Sequence, residues 1–233
     1  MNRAEPLPFL DDWTLAQRCA AGDAAAIRLL TASNNQRLFR AAWSILKDRS
    51  EAEDAVQSAY LKAFASVGSF EGRSNISTWL TKITINEALG RLRALKRRRS
   101  CLEAQGVVMM EDYRPSAEAP DSALALQELR GIMEVAIASL PVALRTVFVL
   151  RDVEGLSVDD TSEALDIPPA TVKTRLFRAR RQLRLSLAPD VRNALVGSFP
   201  FAGADCKRMT LQLVSSMCRS LPIENHVPDL AGL

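Results

Sequence analysis

The sequence predicts an all-α protein of two small helical domains, the second containing a helix-turn-helix. Helix formers dominate: Ala, Leu and Arg are plentiful among the 233 residues, while Gly (10) and Pro (11) are modest. Apolar residues recur at spacings of three and four in two separate blocks. Between the blocks lies an acidic segment with no sustained period, longer than most connections inside a compact domain. We therefore expect domains at 1–99 and 126–187, a flexible acidic linker at 100–125 and a C-terminal extension at 188–233.

Composition limits the classes of function. The formal net charge is only +3, so a nucleic-acid partner has to be argued from where the cations lie. The N-terminus has no signal-peptide pattern, and no window holds about 18 uncharged apolar residues, which predicts a cytoplasmic protein without membrane insertion. The four cysteines stand far apart and His226 is the single histidine. This spacing predicts reduced thiols, no metal site and no cofactor.

The first block begins with two amphipathic helices separated by "KDRS" at 47–50. The apolar face of the first comprises Leu38, Phe39, Ala42, Trp43, Ile45 and Leu46. In the second, Ser50 is the expected N-cap, and the buried stripe comprises Ala55, Val56, Ala59, Tyr60, Ala63 and Phe64. Glu51, Asp54 and Gln57 lie three apart on the other side, and on these residues alone we favour an ordinary solvated face.

A polar loop, "VGSFEGRSNIST" (67–78), precedes a long basic helix. The helix is expected to bury Trp79, Leu80, Ile83, Ile85, Leu89 and Leu92, and its cations are Arg91, Arg93, Lys96, Arg97, Arg98 and Arg99. The helix dipole favours a C-terminal cation by only about 0.3–1 kcal/mol, so six cations indicate a polyanionic partner. Aromatic stacking and small polar pockets suit single-stranded nucleic acid, which favours this helix and the loop beside it as its site.

The second block holds four helices. Residues 126–140 present one apolar side, and Pro141 opens a helix that continues the apolar pattern and ends at Gly155. Ser157 and Asp160 resemble a capping box for a helix through Leu165. The turn "DIPP" (166–169) then leads into the last helix.

That last helix contains "TVKTRLFRARRQLR" (171–184), with six cations and no acid. On a helical wheel Val172, Leu176, Ala179 and Leu183 form a narrow buried seam. Opposite it lie Thr174, Phe177, Arg178 and Arg181, flanked by Lys173 and Arg175. Such a helix fits the DNA major groove, where Arg reads guanine and Thr or Phe meets the thymine methyl. A membrane-surface helix would need a broader apolar face, so duplex DNA is favoured over RNA or lipid.

Two basic helices about eighty residues apart suggest that one domain binds duplex DNA and the other binds the opened strand. Transcription initiation requires both activities. The alternative is a stand-alone helix-turn-helix regulator that dimerises on a palindrome and uses the first basic helix only for nonspecific phosphate contact. An enzyme is not favoured, because neither a Gly-rich phosphate loop nor a nucleophile arrangement is present.

Three ordered stretches resemble the extracytoplasmic-function (ECF) group of bacterial sigma factors. They are "RSEAEDAVQSAYLKAF", "FEGRSNISTWLTKITINEALGRLR" and "LPVALRTVFVLRDVEGLSVDDTSEALDIPPATVKTRLFRARRQL". The resemblance covers about residues 13–99 and 126–187 and implies sigma region 2 and region 4 domains. It also implies three partners: core RNA polymerase, promoter DNA with −10 and −35 elements, and an anti-sigma factor.

The resemblance assigns roles residue by residue. It implies that core polymerase is bound by Glu51, Asp54 and Gln57. It implies that the −10 element is contacted by Arg73, Ser74, Asn75, Trp79, Asn86, Arg91, Arg93 and Arg97. It implies that the −35 element is contacted by Lys173, Thr174, Arg175, Phe177, Arg178 and Arg181. The loop 69–76 would receive a flipped base, and the acidic linker would run toward the catalytic channel of the polymerase.

This sequence departs from the family pattern in the helix-turn-helix. Thr161 replaces an aliphatic residue, and Asp166 stands where the turn favours Gly. A non-Gly residue with positive φ costs about 1 kcal/mol, less for Asp than for most residues. The amphipathic stretch within 188–233 either packs on the second domain or binds a regulator.

Overall fold

The computed structural model describes residues 11–72, 74–104 and 124–187, which form eight α-helices. In order these are α1 (Asp12–Ala20), α2 (Ala24–Leu46), α3 (Arg49–Ser66), α4 (Ile76–Ala104), α5 (Leu124–Ser139), α6 (Val142–Phe148), α7 (Val158–Leu165) and α8 (Pro169–Ser186). A 3-10 turn, Val67–Ser69, follows α3, and a π-helical turn, Val149–Val153, follows α6. The described ranges contain no strand, and the all-α prediction is confirmed.

Helices α2, α3 and α4 pack against one another around the first core, and α1 crosses α2. The predicted faces of α2 and α3 are confirmed, with only Phe64 partly exposed. Tyr60 is fully buried, and its hydroxyl donates a hydrogen bond to the carbonyl oxygen of Thr31 at 3.4 Å. Along α4, Leu80 and Ile85 are buried, whereas the other predicted apolar residues of that helix are partly buried.

The start of α3 differs from the prediction. Helix α2 ends at Leu46 and is followed by Lys47, which has a left-handed backbone with φ 59°, and Asp48 is the extended residue that caps α3. The Asp48 carboxylate accepts a hydrogen bond from the amide of Glu51 at 2.8 Å. The prediction of Ser50 as the N-cap is therefore wrong, because the chain leaves α2 early enough for a carboxylate to reach the orphan amide first.

The second domain contains the helix-turn-helix, formed by α7 and α8, with α6 packed on α8. The predicted cap is confirmed, since the Ser157 hydroxyl accepts from the amide of Asp160 at 2.9 Å. Helix α8 begins at Pro169, as expected. Asp166 in the turn is left-handed, with φ 52°. Thr161 is buried, and its hydroxyl donates to the carbonyl oxygen of Ser157 at 2.8 Å, which satisfies the extra polar group.

The two domains touch each other directly, through α2 with α6 and α4 with α7. Helix α4 continues to Ala104, past residue 99, where we place the end of the first domain. Residues 105–123, which are most of the acidic linker, and the extension 188–233 lie outside the described residues. Within the described ranges, no helix combines the length and apolar character needed to span a bilayer.

Candidate nucleic-acid interface

Helix α8 has one buried edge and one charged surface. The predicted seam of Val172, Leu176, Ala179 and Leu183 is buried against the rest of the domain. Lys173, Thr174, Phe177, Arg178 and Arg181 are exposed, and Arg175 is half-buried. Phe177 is 69% exposed. The seam holds the helix in place, and the opposite surface is left for a ligand.

The cations of α8 are not equivalent. Arg180 forms a two-pronged pair with Asp152 in the π-helical turn, with Nε to Oδ2 at 2.8 Å and Nη2 to Oδ1 at 2.6 Å. These hydrogen bonds to Asp152 raise the pKa of Arg180. By contrast, Lys173, Arg178, Arg181 and Arg184 form no ion pair with any described residue. Arg180 therefore fastens α8 to the domain, while the unpaired cations are available to phosphates.

A basic cleft of about 560 Å³ borders the same helix. Its lining residues are Arg151, Val158, Lys173, Leu176, Phe177, Arg180, Arg181 and Arg184. Five of these side chains are cationic, which gives the cleft the positive charge expected of a surface that contacts the DNA backbone.

The loop before α4 forms a second, smaller cavity of about 280 Å³. It is lined by Ser69, Phe70, Glu71, Gly72, Ser74, Trp79, Lys82 and Glu163. The rings of Phe70 and Trp79 stand 5.6 Å apart and are tilted by 60°. Gly72 has φ +67°, a conformation that favours glycine and turns the loop around the cavity. Phe70 is buried and supports Trp79, so the partly exposed Trp79 ring, among short polar side chains, is the surface that can stack on one base.

Backbone amides at the start of α4 are held by carboxyl and amide oxygens. Asn75 is exposed, and its Oδ1 accepts from the amide of Thr78 at 2.7 Å. Asp12 of α1 accepts from the amide of Ile76 at 2.8 Å. Predicted site residues Ser74, Asn75 and Trp79 are thus brought together at one end of α4, whereas Arg73 lies outside the described residues.

The remaining predicted −10 residues follow α4 away from the cavity. Asn86, Arg93 and Arg97 are exposed. Arg91 is half-buried and turns toward α3, where it pairs with Glu51 at 3.2 Å and Asp54 at 3.7 Å. Arg91 therefore joins the basic surface of α4 to the acidic surface of α3.

The polar side chains predicted on one side of α3 do lie together on that side. Asp54 is exposed, and Glu51 and Gln57 are half-buried on the side away from the apolar stripe. Arg91 also donates to the backbone oxygen of Asp54 at 3.3 Å, so α4 holds this part of α3 in place. A carboxylate held in one geometry is better suited to a protein partner than a freely rotating one.

Contacts between the two domains were missed at the sequence level. Asp160 accepts from the hydroxyl of Thr78 at 2.9 Å and from the side-chain amide of Asn75 at 3.2 Å. Arg40 pairs with Glu154 at 2.8 Å, with both side chains nearly buried. Residues separated by 82 and 114 positions carry no local pattern that would link them.

Arg145 is the largest fully buried side chain of the described residues. Its guanidinium donates to the carbonyl oxygens of Ala138 and Leu140 in its own domain, at 2.9 and 2.8 Å. It also donates to those of Ser44, and of Ile45 at 3.4 Å, at the end of α2. In the sequence, the one sign of this buried guanidinium is a cation inside the apolar pattern of α6.

In the part of the chain that the structure describes, no group of His, Cys, Asp or Glu is arranged to hold a metal ion. Cys19 is buried and Cys101 is exposed. Burial raises the pKa of the Cys19 thiol to about 11, so this group is neutral at physiological pH.

Family comparisons match both domains. Residues 30–98 match the model for Sigma-70 region 2, and residues 130–183 match Sigma-70, region 4. The RNA polymerase sigma-H factor of Pseudomonas aeruginosa is 34% identical over 187 residues, spanning 78% of this chain and 97% of that protein. The ECF RNA polymerase sigma-E factor of Escherichia coli is 31% identical over 188 residues, spanning 78% and 97%.

Solved structures agree with these matches. The sigma factor RpoE of Bartonella quintana, in complex with the anti-sigma factor NepR, is 30% identical with a TM-score of 0.56, covering 70% of this chain and 94% of that one. CnrH in complex with the cytosolic domain of CnrY has 23% identity and a TM-score of 0.53, covering 75% and 95%. The latter likeness extends to the fold alone.

Proposed function

The chain belongs to the extracytoplasmic-function (ECF) sigma factors of RNA polymerase, and from this premise we propose that it binds core polymerase and directs promoter-specific initiation. The observation that carries the proposal is the pair of separate nucleic-acid surfaces. One is the exposed face of α8, and the other is the aromatic cavity and cation row of α4. A protein with both can hold duplex DNA and opened strand at once.

We assign the −35 element to α8. Thr174, Phe177 and Arg178 face the bases, and Lys173, Arg175 and Arg181 hold the backbone. This division is supported by the buried seam, which leaves those six side chains on the surface or at its edge. An α-helix fits the major groove, where an Arg fork matches guanine.

We assign the −10 element to the loop and α4. The Phe70 and Trp79 cavity suits a flipped base, with Ser74 and Asn75 beside it and Arg73 in the same loop. Asn86, Arg93 and Arg97 continue along α4 toward the next phosphates. Arg91 serves the same surface indirectly, since it is held by α3. Domain limits of 1–99 for region 2 and 126–187 for region 4 accompany these assignments.

Core polymerase is proposed to contact Glu51, Asp54 and Gln57 on α3. Because a sigma factor acts as an initiation subunit, the chain needs no catalytic group of its own and acts in the cytoplasm with the polymerase. An anti-sigma factor is a further proposed partner, by analogy with RpoE, which was solved with NepR.

Run-off transcription tests the function. Transcripts sequenced after overproduction of the chain give the cognate promoter, and purified chain with cognate core polymerase should then yield a defined product from that template. Core enzyme alone is the control. Failure of the full chain to direct core enzyme to the promoter would contradict the proposal.

The polymerase surface is tested with Asp54→Ala/Gln57→Ala. We expect core binding to weaken about tenfold or more, because the double variant removes two of the three polar side chains assigned to the polymerase contact. Binding of the −35 duplex should stay unchanged, since α8 lies in the other domain. Surface-immobilised core polymerase and fluorescence anisotropy measure the two affinities. Equal loss of both would argue against the assignment.

A further inference from the structure

Helix α5 is apolar on two sides. Met133, Ala136 and Ile137 are buried and face the core of the second domain. Ile132 and Val135 lie on another side of the helix, and each is 52% exposed. Residues three apart are neighbours on a helix surface, so these two side chains form one patch. A helix at the surface ordinarily carries polar residues on its outer side. The second apolar side is therefore a candidate contact surface.

A glycine adjoins this apolar patch. Gly131 lies inside α5, where the backbone is helical and glycine is less stable than alanine. A Cβ added at Gly131 would meet no neighbouring described atom within 4 Å. Neither the backbone conformation nor a described neighbour explains the missing side chain, whereas the close approach of another backbone would use it. Gly131, Ile132 and Val135 together define the outer face of α5.

The chain leaves the second domain beside exposed apolar surface. Leu185, in the last turn of α8, is 80% exposed. Leu187 follows the helix and is buried, and its amide donates to the carbonyl oxygen of Leu183 at 2.9 Å. Helix α8 also contacts α5. The C-terminal extension 188–233 thus starts from the domain that presents the outer face of α5.

The extension carries one apolar stripe in its sequence. At about 100° per residue, five apolar residues fall within an arc of about 120°: Cys206, Met209, Leu213, Met217 and Leu221. The opposite side of the same wheel holds Arg208, Gln212, Ser215 and Arg219. Spacings of three and four with polar residues opposite predict an amphipathic helix. Two of the five stripe residues are methionines, whose flexible side chains fit irregular apolar surfaces.

The intervening chain is long enough for the stripe to reach α5. An extended chain spans at most about 3.3 Å per residue, which gives about 60 Å for the stretch 188–205. Helix α5 has 16 residues and is about 24 Å long. The linker on the other side of α5 is a poorer match, because its apolar residues stand in one consecutive run at 107–110. Consecutive residues point to different sides of a helix.

We propose that residues 206–221 form an amphipathic helix that packs on the outer face of α5 and extends the core of the second domain. The stripe covers Ile132 and Val135, and Gly131 allows the two backbones to approach. The basic cleft of α8 is lined by α7, α8 and the π-helical turn, so the −35 surface stays accessible with the extension docked. The proposal concerns the architecture of the domain and does not depend on the proposed function.

Hydrogen exchange of the full chain tests the contact from the extension. Leu213→Asp/Met217→Asp places two charges in the stripe and should speed exchange of α5 at least threefold, because its cover is lost. The matched control, Gln212→Asp/Ser215→Asp, adds the same charge on the opposite side and should leave exchange as in the wild-type chain. Mass spectrometry of proteolytic peptides covering 124–139 measures both. Unchanged exchange in the stripe variant, or equal acceleration in both variants, would overturn the proposal.

Limited trypsin digestion tests the same contact from α5. Ile132→Ser/Val135→Ser removes two side chains that lie outside the core, so circular dichroism should match that of the wild-type chain. Cleavage after Arg208 and Arg219 should become at least threefold faster, because the undocked segment is open to the protease. Leu61→Ser, at a 51% exposed leucine of α3, is the control and should leave these cleavages unchanged. Unchanged cleavage in the α5 variant would contradict docking.

Two further measurements distinguish other occupants of the outer face. Protection of α5 that rises with protein concentration would assign the face to a second copy of the chain. Protection that appears only after core polymerase is added would assign it to the polymerase. Either result would overturn docking of the extension within one chain. Because none of these assays reads transcription, failure of the proposed function would leave their outcome interpretable.

Discussion

Arg178 and Arg184 extend from the same helix, Arg178 one turn after Thr174 in its middle and Arg184 near its end. We expect Arg178→Ala to weaken binding to the cognate −35 duplex by about 1–3 kcal/mol, and to reduce discrimination against altered sequences, because a base contact is lost. Fluorescence anisotropy with cognate and scrambled duplexes measures both effects.

Arg184→Ala is the matched control for this prediction. Its side chain lines the basic cleft near the end of α8, where a phosphate contact is expected. It should weaken cognate and scrambled duplexes alike and lower the salt dependence slightly. Unchanged discrimination in Arg178→Ala would show that Arg178 contacts only the backbone.

The exposure of candidate site residues was predictable where a periodic pattern located them. Thr174, Phe177 and Arg178 were placed opposite the seam by helical geometry alone, and they lie on the surface. Arg91 was grouped with the other cations of α4, but a pairing with Glu51 depends on how two helices pack. The end of a long side chain is set by tertiary contacts that spacing does not encode.

Among the elements, the turn between α7 and α8 contains a removable strain. Asp166 has φ 52°, where glycine is more comfortable. We expect Asp166→Gly to raise the free energy of unfolding by up to about 1 kcal/mol, with the larger entropy of the unfolded Gly chain reducing the gain. Urea unfolding followed by circular dichroism measures the change.

Asp159→Gly, in the same motif, should change the free energy of unfolding in the opposite direction. Asp159 lies in the first turn of α7, where a glycine costs helix entropy and a favourable charge is lost. It should lower the free energy of unfolding by about 0.5–1 kcal/mol. Destabilisation by Asp166→Gly would mean that an Asp side-chain contact outweighs the backbone strain.

Element types followed from periodicity, and element boundaries depended on local competition. Pro169 fixed the start of α8 because a proline without an amide suits the first helical position. The start of α3 was missed, since both Asp48 and Ser50 are good caps. The choice between them depends on Lys47, whose left-handed backbone could not be read from its residue type.

For the whole molecule, the contact of α7 with α4 predicts a change in backbone exchange. Asp160→Ala should speed hydrogen exchange of the 69–78 segment at least threefold in the free chain, because Thr78 and Asn75 lose their partner in the other domain. Mass spectrometry of proteolytic peptides resolves this segment.

Asp159→Ala is the control here, since it removes a neighbouring charge that forms no described hydrogen bond to α4. It should leave exchange in 69–78 as in the wild-type chain. Equal exchange in both variants would show that the Asp160 contact does not protect this segment in the free chain.

Two helical domains were predictable from two blocks of apolar periodicity, but their contact was not. The interface depends on single polar residues such as Arg145, Glu154 and Asp160, which carry no repeat. An acidic segment between the blocks also suggested independent domains. How the two domains pack across such a connection is determined by the complementarity of their folded surfaces.

Helix α4 joins the aromatic cavity to the distal cations without a break over 29 residues. With a rise of about 1.5 Å per residue, Trp79 and Arg97 lie about 27 Å apart along the axis. That length corresponds to about eight base-pair steps of B-form DNA. Under the −10 assignment proposed above, the number of residues between Trp79 and Arg97 would set the distance between a base held in the cavity and a phosphate held at the far end of the helix.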